Sequence, residues 1–199
     1  MTLHLEAALA RQRAALAARF GALPHVHHDL PADSGFFEDM AQAVKRERMG
    51  EVILLLRRSG DQVLLHTKTF YPQDVYRLPS GGIQGDEPVM AAAARETAEE
   101  TGLSIQQNWP LGSIGYTFWN GDARIDFHSW LVLADVEGEA HLCDPNERIE
   151  GYRWVEIAAL GRVAAQLRAV PETWGSWGNF RAVAHDLAAT WISRNSTYA

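Results

Sequence analysis

The sequence has few of the features that mark secreted, membrane-embedded or nucleic-acid-binding proteins. Among its 199 residues Cys143 is the single cysteine, which excludes a disulfide scaffold and favours a reducing, cytoplasmic location. No apolar run approaches the roughly 20 residues that a membrane-spanning helix needs, and the N-terminal segment 1–20 lacks the layout of a secretory signal. With 18 basic and 25 acidic residues, the net charge of −7 argues against nucleic acid as a general partner. An anionic substrate would therefore be met by metal ions or by a few placed cations.

Helix and strand patterns divide the chain into an N-terminal helical extension, residues 1–49, and a mixed α/β domain, residues 50–199. Helix formers dominate residues 3–20, and apolar residues spaced as one helix face recur over 37–44. The polar segment 24–34 between them contains three neighbouring histidines. We interpret it as a loop rather than a metal site, because no second cluster of ligand residues accompanies it.

The second part of the chain alternates between strand and helix patterns. Short apolar runs at 52–56 and 63–65 flank a Ser-Gly-Asp turn and predict a hairpin. The runs 115–118 and 125–133 flank an Asn-Gly turn and predict a second one. A strand at 152–155 and helices over 157–167 and 180–191 complete the pattern. This order predicts a single-core α/β fold.

A glycine-rich segment, residues 78–86, precedes another predicted helix. Pro88 suits the first turn of a helix, and Gly102 suits its C-terminal end. Asp86 or Glu87 is expected to cap the N-terminus. The segment therefore predicts a tight loop followed by a helix over 88–101.

Clustered carboxylates on this helix carry the chemistry. Glu96, Glu99 and Glu100 stand at i, i+3 and i+4 and share one helix face. A bare glutamate pair is more often a solvated surface, since like charges repel. Beside a glycine-rich loop, however, such a cluster indicates hard divalent cations that bridge to substrate phosphates.

The whole segment resembles the signature box of the Nudix hydrolase family. The matching residues are Gly81, Glu87, Arg95, Glu96, Glu99, Glu100 and Gly102. A chance match of seven fixed identities is on the order of one in a million for a chain of this length. Leu103 fills the final apolar position. Thr97 stands where the family usually has a larger apolar residue, and Gln84 where many members carry glutamate, which bears on packing and on local polarity.

The resemblance implies a Nudix-like α/β/α sandwich with a mixed sheet, and the 1–49 extension lies outside that core. It also implies hydrolysis of a diphosphate linkage in a nucleoside diphosphate-linked small molecule, by attack of water on phosphorus. The implied ligands of Mg²⁺, or alternatively Mn²⁺, are Glu96, Glu99, Glu100 and the Ser80 carbonyl. Arg95 and Glu87 are implied to be structural partners that orient the loop and the helix.

Other site residues are predicted from their positions around the box. Glu147, in a polar loop before the 152–155 strand, is a candidate general base or metal ligand, as some relatives place an acidic residue there. Arg77 is a candidate phosphate contact, and Tyr76 and Phe118 are candidates for stacking on a nucleobase. A solvated loop, a salt bridge and core packing are the respective alternatives.

Several other features have simple interpretations. Trp174 and Trp177 are expected to cover the core, and Cys143 is expected to be a buried or half-buried residue rather than a nucleophile. Two other functions stay open: a catalytically inactive binding or regulatory module of the same fold, and an RNA cap-type pyrophosphohydrolase. The residues that distinguish substrate classes in the family are not clearly placed in this sequence, so no particular substrate is selected. The oligomeric state is also left open, with a homodimer as one alternative.

Overall fold

The computed structural model of the chain describes residues 2–45 and 48–194. Its helices are α1 (Thr2–Phe20), α2 (Ser34–Lys45), α3 (Val89–Thr101), α4 (Leu160–Arg168) and α5 (Gly175–Arg194). Its strands are β1 (His25–Pro31), β2 (Arg48–Arg58), β3 (Gln62–Lys68), β4 (Ser80–Gln84), β5 (Ser104–Asn120), β6 (Ala123–Glu137) and β7 (Ile149–Glu156). None of the described helices is both long and apolar enough to cross a membrane.

The described strands form one mixed sheet in the order β1-β5-β6-β2-β3-β7, and β4 pairs with β2. The β1/β5 and β2/β6 pairs are parallel, whereas β2/β3, β2/β4, β3/β7 and β5/β6 are antiparallel. The two predicted hairpins are confirmed as β2/β3 and β5/β6. The α/β fold class is likewise confirmed.

Helices cover both faces of the sheet, because its central strands are apolar on both sides. In β2, Ile53 and Leu55 belong to a core packed under α2, α4 and α5, whereas Val52 and Leu54 face a second core beneath α1 and α3. The alternation of side-chain direction along a strand assigns these neighbours to opposite faces. The architecture is therefore an α/β/α sandwich. α1 and α3 cover one face of the sheet, and α2, α4 and α5 cover the other.

The N-terminal extension contributes a strand that the sequence analysis did not predict. The segment interpreted as a polar loop contains β1, which pairs with β5 in parallel over seven residue pairs, from His25↔Ser113 to Pro31↔Trp119. Val26 and Leu30 point into the core, and the residues between them are polar. Less exposed and exposed residues alternate along β1, but His28 occupies the inner position between Val26 and Leu30, so the apolar residues alone show no period of two. The extension and the domain thus share a sheet.

Candidate active site

Residues 78–88, which include strand β4 and end immediately before α3, form the glycine loop, and this loop brings backbone and carboxylates into close contact. The Glu96 carboxylate occupies the space beside Gly81 where a Cβ would stand, so any side chain at position 81 would overlap it. At the other end of α3, Gly102 adopts the left-handed conformation, with φ of 66°, and ends the helix. Both glycines therefore have a specific geometric reason to be glycine.

Arg95 connects three carboxylates. Its guanidinium donates to both oxygens of Glu87, from Nε to Oε1 at 2.9 Å and from Nη2 to Oε2 at 2.9 Å. Nη1 donates to Glu96 Oε1 at 2.7 Å and to Glu99 Oε2 at 2.9 Å, and Nη2 also reaches the Gly82 carbonyl at 2.8 Å. Hydrogen bonds from Arg95 lower the pKa of Glu87. The Arg95–Glu87 pair has the bidentate form that fixes both orientation and distance.

Glu100 is the most deeply buried of the clustered carboxylates. Its side chain is 1% exposed, and burial raises its pKa to about 7 even though Lys68 favours the charged form. Lys68 Nζ lies 3.1 Å from Oε1, and His66 Nδ1 lies 3.8 Å from Oε2. Within the described residues, neither Glu100 oxygen accepts a geometrically good hydrogen bond, and neither His66 nitrogen has a partner. A buried carboxylate left this way favours a cation beside it.

Lys68 links this carboxylate to a second one from a different part of the chain. Its Nζ lies 2.8 Å from Oε2 of Glu147, which belongs to the 3₁₀ turn Pro145–Glu147. The charge of Glu147 raises the pKa of both Glu96 and Glu100, although burial is the larger cause in each case. Glu147 therefore lies beside the α3 carboxylates and not in a surface loop remote from them.

The carboxylates are held by protein cations. Among residues 2–45 and 48–194, no three His, Cys, Asp or Glu side chains are already gathered as a metal cage. Arg95 instead forms ion pairs with Glu96 and Glu99, and Lys68 lies beside Glu100. The donor set still fits a hard divalent cation, because it consists of carboxylates with buried, under-satisfied oxygens beside the start of the glycine loop. Such a cation would replace part of the positive charge that Arg95 and Lys68 place beside the carboxylates.

The start of the glycine loop rests on a buried polar network that the sequence analysis missed. Glu51 accepts hydrogen bonds from Ser80 Oγ at 3.2 Å and from Ser129 Oγ at 2.9 Å. Arg181 Nη1 donates to both Glu51 oxygens at 2.8 Å. The sequence did contain a signal for this network: Glu51 stands two residues before Ile53, so both side chains lie on the same, core-facing side of β2.

Arg77 and His185 complete this support. Arg77, 4% exposed, donates from Nη1 to the Leu78 carbonyl at 2.7 Å and to Ser80 Oγ at 2.9 Å, and from Nε to Tyr71 Oη at 2.8 Å. His185 Nε2 accepts from the Leu78 amide at 3.0 Å, which leaves Nδ1 to donate to the Arg181 carbonyl at 2.8 Å. Arg77 therefore braces the loop from inside the protein, a position that does not support its predicted contact with a phosphate.

The two aromatic residues predicted to stack on a nucleobase are packed against other side chains. Phe118 is completely buried among Phe36, Tyr116 and Phe180, so its position does not support stacking on a nucleobase. Tyr76 is half-buried with its ring under the Arg153 guanidinium, 4.1 Å from the centroid.

Two further expectations are wrong. Cys143 is exposed, because it lies in the irregular segment after β6 rather than beneath a helix. Neither Asp86 nor Glu87 caps α3. The N-cap position is Pro88, without a side-chain cap, because the Glu87 carboxylate is held by Arg95 and Asp86 is exposed. The helix itself was correctly predicted.

The match to known proteins agrees with this arrangement. A family model described as NUDIX domain matches residues 46–177. The chain belongs to the NUDIX domain family. The match includes the glycine loop, all of α3 and Glu147, and it excludes α1, β1 and most of α5. The match therefore covers the carboxylate residues of the candidate site and leaves the N-terminal helix and strand outside it.

The chain is similar to several known proteins at low sequence identity. The NAD-capped RNA hydrolase NudC of Pseudomonas aeruginosa is 25% identical over 119 residues, 60% of this chain and 40% of that protein. The RNA pyrophosphohydrolase of Gluconobacter oxydans is 30% identical over 123 residues, 54% of this chain and 71% of that protein. A crystal structure of a Bacillus subtilis pyrophosphohydrolase is 18% identical, covers 75% of this chain and 84% of its own, and has a TM-score of 0.49. The chain thus spans about 40% of the length of the first of these relatives.

Proposed function

We propose that this NUDIX protein hydrolyses a diphosphate linkage in a nucleoside diphosphate-linked small molecule, with Mg²⁺ or Mn²⁺ as cofactor and water as the nucleophile at phosphorus. The observation that carries the proposal is the carboxylate face of α3. Glu96, Glu99 and Glu100 lie together beside the start of the glycine loop, and Glu100 is buried without geometrically good hydrogen bonds from the described part of the chain. A purely structural role would not require such a costly arrangement.

The residues that would hold the cation are Glu96, Glu99, Glu100 and the backbone carbonyl of Ser80. Carboxylate and carbonyl oxygens are the ligands that Mg²⁺ prefers, and Mg²⁺ retains waters that it shares with substrate phosphates. When bound, the ion polarises the phosphoryl oxygens and lowers the pKa of a coordinated water. The choice between Mg²⁺ and Mn²⁺ depends on geometry and availability, since both accept this donor set.

The protein's own residues would arrange the charges around the reacting phosphorus. Arg95 holds Glu96 and Glu99 at distances of 2.7 and 2.9 Å, which limits their rotamers before a substrate arrives. Glu147, whose side chain is 30% exposed, would accept the proton of the attacking water. Lys68 orients Glu147 and would remain beside the anionic substrate as a compensating charge.

An aromatic group near these residues is suited to bind the nucleoside. Phe70 follows Lys68 by two positions, is 45% exposed and lies under the Arg148 guanidinium, 4.8 Å from its centroid. Tyr71 packs edge-on against Phe70 and also contacts Trp177. A base could stack on the exposed Phe70 ring, and the guanidinium of Arg148 would add a cation next to the phosphates.

A second candidate substrate is the 5′ end of RNA, since relatives carry the names NAD-capped RNA hydrolase and RNA pyrophosphohydrolase. A net charge of −7 provides little long-range attraction for a polyanion, so we favour the small molecule. A non-catalytic binding module of the same fold is the third possibility.

The deciding experiment is a substrate panel incubated with Mg²⁺ or Mn²⁺ and analysed by product chromatography. It contains dinucleotides, nucleoside diphosphate sugars, nucleoside triphosphates, and RNA with a 5′-triphosphate or a nicotinamide cap. Metal-dependent cleavage of the small molecules supports the proposal, and preference for RNA by kcat/KM supports the second candidate. A folded protein that cleaves nothing in the panel overturns the hydrolase proposal.

Three carboxylate variants and one control test the roles within the site. Glu99→Gln and Glu100→Gln should each lower kcat by orders of magnitude, because they remove charge that would hold the metal while preserving side-chain volume. Glu147→Gln tests the proton acceptor, and Glu150→Gln, an exposed glutamate on β7, is its matched control. Near-normal turnover of Glu100→Gln would exclude the metal role.

A further inference from the structure

The N-terminal end of α3 has no capping side chain from its own neighbourhood. Pro88 occupies the N-cap position with extended backbone angles of −62° and 141° and provides no side-chain hydrogen bond. The first amides of any helix need acceptors from outside the helix. The support must therefore come from a different part of the chain.

Gln12, on α1, provides this support. Its Nε2 donates to the Glu87 carbonyl at 2.9 Å, and its Oε1 accepts from the Val89 amide at 3.4 Å. Pro88, between these two positions, has no N–H of its own. One side-chain amide thus satisfies both the Glu87 carbonyl, two residues before the helix, and the first helical amide, across sequence separations of 75 and 77 residues.

The helix that carries Gln12 is itself anchored on the domain. Leu9 and Leu16 are 7% and 6% exposed, and Leu16 belongs to the same apolar core as Val89. Arg13, which directly follows Gln12, donates from Nη2 to His128 Nε2 on β6 at 2.7 Å. The Gln12 amide is therefore presented from a packed helix on the α3 face of the sheet.

Gln12 binds the backbone of Glu87, and the side chain of Glu87 is linked through Arg95 to the carboxylate face of α3. The Glu87 side chain binds Arg95 through two hydrogen bonds, and the same guanidinium binds Glu96 and Glu99. A displacement of the Glu87 backbone would move Arg95 and, with it, both carboxylates. Small displacements of this kind have large effects on catalysis, since reacting groups must be held within about 0.5 Å.

We propose that Gln12 is a positioning residue, which fixes the junction of the glycine loop and α3 and thereby orients the carboxylates of Glu96 and Glu99 for a divalent cation. This inference rests on the proposed function, because it assigns α1 a role in the same site. It also makes α1, outside the matched family domain, a functional part of the enzyme.

The test compares Gln12→Glu with Gln12→Ala and with Gln166→Ala, which changes an exposed glutamine on α4. Gln12→Glu keeps the length and helix preference of the side chain but replaces the amide donor with an oxygen that repels the Glu87 carbonyl. Each variant is titrated with Mn²⁺ alone, and binding is followed by electron paramagnetic resonance of the free ion. Thermal melting reports separately on the fold, and kcat and KM are measured on the best substrate of the panel.

We expect both Gln12 variants to weaken Mn²⁺ binding by about three- to tenfold, as the loss of one ordinary hydrogen bond would do. kcat should fall by a similar factor with little change in KM, and Gln166→Ala should match the wild type. Wild-type Mn²⁺ affinity in folded Gln12 variants would overturn the proposal, even if their melting temperature falls, because it would leave only a structural role. Failure of the wild type to bind Mn²⁺ would overturn the metal-dependent function and this inference with it.

Discussion

The two ends of the glycine loop are held in physically different ways. At the start, Ser80 contacts the Glu51–Arg181 pair, whose side chains are 8% and 16% exposed, respectively. At the far end, Glu87 is held by Arg95 and by α1 at a partly solvated surface, with the Arg95 side chain 23% exposed. Breaking a buried ion pair leaves an uncompensated charge in a low-dielectric environment, whereas water can replace partners at a surface. The buried end therefore determines stability, and the exposed end determines the orientation of the carboxylates.

The largest expected effect comes from the buried end. Arg181→Ala should lower the free energy of unfolding by about 3–5 kcal/mol, because Glu51 would keep only two hydroxyl donors for a buried charge. Arg168→Ala is the matched control, since it removes an exposed pair with Asp186 and should cost less than about 1 kcal/mol. Urea denaturation measures both. Similar losses for the two variants would remove the proposed contrast.

The pH dependence of stability should differ between the two ends. Burial lowers the pKa of His185 to about 4, from 6.5, so the unfolded chain binds a proton more readily between these values. The free energy of unfolding should therefore fall as the pH drops through this window, by about 3 kcal/mol for this residue. Glu87 has its pKa lowered below 4.5, so its contribution is complete above that pH and is lost only in more acidic solution.

Denaturation curves between pH 7.5 and pH 4 check this prediction. His185→Gln retains an acceptor for the Leu78 amide but cannot titrate. The plot of the free energy of unfolding against pH should therefore be less steep, by the equivalent of about one bound proton. An unchanged slope would contradict the assignment of this pH dependence to His185, as other buried histidines would then account for it.

A smaller loss of stability is expected at the exposed end. Arg95→Ala should lower the free energy of unfolding by about 1–2 kcal/mol, since water can reach Glu87 and Glu99 once the guanidinium is gone. Glu96 is 7% exposed, but burial already raises its pKa, so it can take up a proton instead of remaining as an uncompensated charge. The same change should reduce kcat by orders of magnitude, because the carboxylates lose their common anchor. Comparing its unfolding curve and kinetics with those of Arg181→Ala separates the two effects. A stability loss as large as that of Arg181→Ala would reverse the comparison.

The sequence was sufficient for the exposed end of the loop and insufficient for the buried end. Glu87, Arg95 and the clustered glutamates lie within one short segment, so helix geometry alone relates most of them. The Arg181–Glu51 contact joins residues 130 positions apart, and no local pattern encodes such a pairing. The same reason applies to Lys68, which meets Glu147 across 79 positions.

The missed strand β1 illustrates a related limit. Local propensity favoured a loop over the histidine-rich segment, and tertiary pairing with β5 overrode it. By contrast, α1 and α3 were predicted because strong helix formers and end signals agree along each segment. Phe118 was assigned to the site by its chemistry, but the direction of its side chain into the core depends on the register of β5.

The pairing of β1 with β5 also sets an order of events when the chain folds. His25 and Ser113 are neighbours in the sheet although 88 residues separate them in sequence. Closing a loop of that length is slow compared with forming a hairpin such as β5/β6, so β1 joins after its partner strand exists. During synthesis on the ribosome, β1 therefore stays unpaired until residues 113–119 of β5 have emerged.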